Sequence, residues 1–90
     1  MNNTQIKEWV AEQPNVFRER LQRQILIARK SREFAEASLI GRWGHLENHE
    51  DAREMAKTHL FGGLTAAGHD VDRIDPDKLN DYLDELEREA

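Results

Sequence analysis

The sequence predicts an all-α fold, a small bundle of about four helices around one long helix at residues 16–40. Three observations carry this expectation. Residues 16–40 contain neither proline nor glycine and are rich in Arg, Leu, Gln, Ala, Glu and Lys, all good helix formers. Apolar residues recur at three- and four-residue intervals in every segment that is not a turn. Alternating β-branched runs and hairpin dipeptides, which would signal strands, are missing.

The first helix is expected over residues 4–13, because Ile6, Trp9 and Val10 make one narrow apolar stripe. Pro14 ends it or starts the next, and Asn15 has the side-chain carbonyl to cap the following helix. In that long helix Phe17, Leu21, Ile25, Ala28, Ala35 and Leu39 fall on one face at about 100° per residue. Val16, Ile27 and Phe34 are expected to widen this core face on one side. Gly41 and Gly44 then turn the chain around Trp43, whose ring is expected to fold back onto the core.

A third helix is expected to begin at the cap Asn48, with Glu50 and Asp51 at the positive end of its dipole. Its stripe is Ala52, Met55, Ala56, His59 and Leu60, and Gly62 with Gly63 should stop or kink it. The last helix carries the clearest signals: Asp75 as cap, Pro76 in the first helical position, and Ile74 placed to pack against Leu79. Leu79, Tyr82, Leu83 and Leu86 form its stripe, while its other face reads as acidic.

Ninety residues are expected to form a single helical domain, 1–90, with one core. No apolar run approaches the roughly 18–20 residues that a membrane span needs, so no membrane is expected among the partners. The opening residues lack the cationic start and apolar middle of a secretory signal, which makes a cytoplasmic location the expectation. There is no cysteine, so thiolate chemistry and disulfides are excluded.

Chemistry-bearing patterns each fail on a specific point. His45 and His49 are four residues apart, but Glu47 is misplaced for a zinc-protease pattern. The run 70–77 resembles a calcium loop until Ile74 takes a ligand position and Asp75 the place of the turn glycine, so its aspartates read as caps. No glycine-framed serine and no phosphate-cradling loop occurs. No catalytic residue, metal or cofactor is therefore expected.

Charge is unevenly distributed. Residues 1–44 hold eight Lys and Arg against five Asp and Glu, a net +3, while residues 45–90 hold five against thirteen, a net −8. Two readings follow. The first is a non-catalytic protein-interaction module, an adaptor or inhibitor of a larger protein, including one that binds nucleic acid, forming a homodimer through the long helix. Leu26 and Ile40 would supply its contact surface, since both project to the polar side of that helix. Asp77, Asp81, Asp84 and Glu85 would meet a partner with a basic surface. The alternative is a nucleic-acid-associated regulator whose basic helix contacts phosphate through Arg23, Arg29 and Lys30.

Overall fold

The computed structural model describes the backbone of residues 2–37 and 42–90, and the side chains of residues 2–37 and 48–90. Among the described residues there are four α-helices and no strand: α1 (Asn3–Ala11), α2 (Asn15–Ala37), α3 (Arg42–Ala66) and α4 (Pro76–Glu89). The all-α expectation holds. Ile40, Leu39 and Gly41 lie outside the described residues, as do the side chains of Trp43 and His45.

The start of α1 is secured by Asn2, whose Oδ1 accepts from the Gln5 amide at 2.9 Å while Gln5 Oε1 accepts from the Asn2 amide at 2.9 Å. Two amides that a helix start leaves without partners are thereby satisfied. Helix α2 begins one residue earlier than its sequence suggests. Asn15, expected as the cap, lies in its first turn, and its side-chain oxygen accepts from the Arg18 guanidinium instead.

Helix α3 departs furthest from expectation. It starts at Arg42, so Asn48 sits inside it as an exposed residue, and Gly44 is helical. It also runs through Gly62 and Gly63 to Ala66 and is terminated by Gly68, whose φ of 89° places it in the left-handed region. There the Gly68 amide donates to Thr65 O and the His69 amide to Leu64 O, both at 3.0 Å, the paired bonds of a glycine-terminated helix end. Gly63 has a packing reason to be helical. A β-carbon there would lie 2.5 Å from Phe17 Cε2 and 2.8 Å from Trp9 Cη2, so glycine lets α3 approach these rings.

Helices α2 and α3 are antiparallel and, among the described residues, share the most extensive helix–helix contact. Phe17, near the start of α2, stacks on His59 near the end of α3, with ring centroids 4.2 Å apart. Ala28 and Ala35 of α2 and Ala52 and Ala56 of α3 are all buried, small residues that let the two rods lie close. Helices α4 and α1 cover one side of this pair, sealing a core of Ile6, Leu21, Ile25, Leu60, Leu64, Ile74, Leu79, Tyr82 and Leu83. Each buried leucine contributes on the order of 2 kcal/mol.

Helix α4 has the expected start. Asp75 Oδ1 accepts from the Asp77 amide at 2.9 Å, Pro76 opens the helix, and Ile74 and Leu79 are buried in the same cluster. Asp70 of the calcium-like run is engaged as a cap too, its Oδ1 accepting from the Asp72 amide at 3.1 Å.

The core face of α2 is narrower than its sequence suggests. Val16, Ile27 and Phe34 remain 63%, 44% and 52% exposed, and Met55 of α3 is 56% exposed. The reason is geometric: α3 and α4 cover only the arc of α2 that carries Leu21, Ile25 and Ala28. Val16, Ile27 and Phe34 lie about 100° or more around the helix from that arc.

Candidate functional site

Two arrangements stand out: a groove between α1, α2 and the end of α4, and a charged cluster that binds α4 to the other long helices. The groove is lined by Val10, Leu21, Ile25, Leu26 and Leu86, with Arg18, Gln22 and Glu89 among them, and encloses about 460 Å³. It lies where α2 faces α1 and the end of α4: Leu21 and Ile25 in its lining are only 2% exposed, so its open apolar surface comes from Val10, Leu26 and Leu86. Leu26, which by sequence has no place in the core, forms one wall and is 40% exposed. A shallower depression continues between α1 and α4 past Val10, Leu86 and Glu89. The Lys7 ammonium bridges these two helices, 2.6 Å from Glu85 Oε2.

Arg18 has a particular place in the groove. Its Nε is buried and, among the described residues, has no acceptor, while Nη2 donates to Asn15. A buried donor without an acceptor is costly, about 1–3 kcal/mol.

The charged cluster centres on Glu87, only 3% exposed although its helix face reads as acidic surface. Glu87 Oε1 lies 2.8 Å from His49 Nε2, and its Oε2 accepts from Arg53 Nη1 at 3.0 Å. Arg32 of α2 approaches the same carboxylate at 3.8 Å. Arg53 also pairs with Asp84 and donates from Nη2 to the Asn80 carbonyl at 3.1 Å. Sequence reasoning placed Glu87 on the solvent face. The available signal is its angular position, about 40° from Leu83 and hence at the edge of the buried stripe.

Both oxygens of the Glu87 carboxylate are occupied, one by His49 and the other by Arg53. The neighbouring depression, lined by His49, Glu50, Arg53, Glu54, Asn80 and Asp84, is open to solvent. Among the described residues no three His, Asp or Glu side chains converge as a metal site. His59 is taken up by packing: its Nε2 donates to the Phe17 carbonyl at 3.0 Å, since a carbonyl only accepts. Tyr82, the single tyrosine, has its pKa pushed up to about 12, first by burial and then by the carboxylates of Glu85 and Glu89.

The acidic residues singled out from sequence divide into two groups. Asp84 and Glu85 are engaged within the molecule, by Arg53 and Lys7. Asp77 and Asp81 are exposed, and among the described residues their carboxylates have no ion-pair partner. The three proposed phosphate contacts also separate. Arg29 is held by Glu33 at 3.0 Å, whereas Arg23 and Lys30 share a face about 100° or more away and have no ion-pair partner among the described residues. Ile40, the other apolar surface residue expected from sequence, is outside the described residues. No described helix is long and apolar enough to cross a membrane. Comparison of the chain with family models, with curated proteins and with solved structures finds no match.

Proposed function

We propose that this chain is a non-catalytic interaction module, an adaptor or inhibitor of a larger protein, which dimerises through the groove beside α2. The observation that supports the reading is the partly open apolar wall formed by Leu26, Val10 and Leu86 over the buried Leu21 and Ile25, lined without an acid–base pair or a metal cluster. In the dimer two α2 helices cross antiparallel, and Leu26 of each copy enters the groove of the other. Asp77 and Asp81 stay exposed and face a larger partner with a basic surface.

Sedimentation at several concentrations tests the dimer. The expected mass is about twice the 10.5 kDa of one chain, falling to a single chain in Leu26→Asp with the helical content intact. A single-chain mass throughout, with Leu26→Asp leaving every interaction unchanged, removes the proposal. The nucleic-acid reading has less support, because Arg29 is already paired and turned away from Arg23 and Lys30.

A further inference from the structure

The side of the α2–α3 pair opposite α4 carries a surface that the groove does not explain. Arg32 reaches Glu87 of α4, and so marks the direction of α4 from α2. Val16 and Ile27 lie about 140–160° around α2 from Arg32. On α3 the same marker is Arg53, which bonds Asn80 and pairs with Asp84. Met55 lies about 160° from it. The contact of Phe17 with His59 sets the register, so Met55 stands level with about residue 21, beside the middle of the strip from Val16 to Ile27.

This strip is both apolar and cationic. Arg20, Arg23 and Lys30 lie within about 40–60° of Val16 and Ile27 on the same helix face. All three are exposed and, among the described residues, have no ion-pair partner. Glu19 and Asp51 border the strip, leaving cations in excess along it. Three large apolar side chains that are 63%, 44% and 56% exposed are an unusual outlay for a chain with so small a core.

We infer that this face docks an acidic amphipathic helix of a different protein, laid along the furrow between α2 and α3. Residues 16–30 span about 21 Å, roughly four helical turns, the length over which such a helix presents its anchors. The charge pattern selects the occupant. A second copy joined by a twofold axis here would set Arg20, Arg23 and Lys30 against their own counterparts, a like-charge contact that opposes pairing. The acidic side of a second copy's α4 brings Asp77 and Asp81, but no exposed large apolar residue to cover Val16, Ile27 and Met55. An acidic helix with its own leucine stripe supplies both. The inference does not depend on the groove, and it gives an adaptor partners of opposite charge on two sides.

The test uses the full chain and two labelled synthetic helical peptides with the same leucine stripe, one flanked by glutamates and its twin by lysines. Fluorescence anisotropy should show the glutamate peptide bound at least about tenfold more tightly than its twin. The combined Arg20→Glu, Arg23→Glu and Lys30→Glu variant should lose at least about tenfold, as should Ile27→Asp. Leu26→Asp should leave this binding unchanged, which separates it from the groove. All variants are exposed positions, and circular dichroism checks that each is folded. Equal binding of the two peptides, or none of the glutamate peptide, overturns the proposal. So does a dimer that Ile27→Asp dissolves, which would make a second copy the occupant. Tight retention of duplex DNA, abolished by the same charge reversals, would make the face a phosphate surface and overturn it too.

Discussion

The ring of Phe17 occupies the space that a side chain on Gly63 would need, its Cε2 lying 2.5 Å from the position of a β-carbon there. The neighbouring Gly62, in the same helix, faces open space. Two adjacent glycines should therefore respond oppositely to one substitution. Gly62→Ala should stabilise by about 0.5–1 kcal/mol, the usual gain at an exposed helical site. Gly63→Ala should destabilise by about 1–3 kcal/mol, because Phe17 and Trp9 must give way. Urea unfolding of the two variants checks the pair, and equal effects would mean that α3 does not approach α1 and α2 as described.

Arg53 and Glu87 bind α4 to α3 through a carboxylate nearly sealed from water. Arg53→Ala leaves Glu87 with His49 and the more distant Arg32, and should cost about 3–5 kcal/mol. The double variant Arg53→Met with Glu87→Leu removes the buried charge together with its partner. It should be more stable than Arg53→Ala alone, since an apolar pair of similar volume often matches a buried ion pair. Denaturant midpoints with an unchanged slope decide this, and an Arg53→Ala loss below about 0.5 kcal/mol would contradict the pairing.

Tyr82 gives the chain an alkaline limit. Its hydroxyl keeps its proton up to about pH 12 in the folded protein, whereas an unfolded tyrosine ionises near 10. The folded pKa is the higher one, so the stabilising contribution is complete below pH 10 and is lost as pH rises toward 12. Between these values stability should fall by up to about 1.4 kcal/mol per pH unit from this group. Because the chain has one tyrosine, the tyrosinate absorbance reports it directly. A midpoint near 10 with the helical signal intact would show the ring to be solvated.

The outline of the fold was legible because its signals are local. Asp75 followed by Pro76 starts α4 through hydrogen bonds and a backbone angle that belong to neighbouring residues. Leu21, Ile25 and Ala28 declare a helix face by spacing alone. The boundaries of α3 were not legible. The cap propensity of Asn48 and the breaking propensity of Gly62 and Gly63 are worth about 1 kcal/mol each, and packing along α2 outweighs them.

The sequence by itself determined the helices, their apolar stripes, the absence of thiol chemistry and the opposite charge of the two halves, since each depends on residue type and spacing along one chain. Only the tertiary structure decided which part of each stripe is covered. It buried Glu87 against His49 and Arg53, left Val16, Ile27 and Met55 in water, and opened a groove at Leu26. Burial is set by where neighbouring helices stop and how closely they approach, and no single helix carries that information.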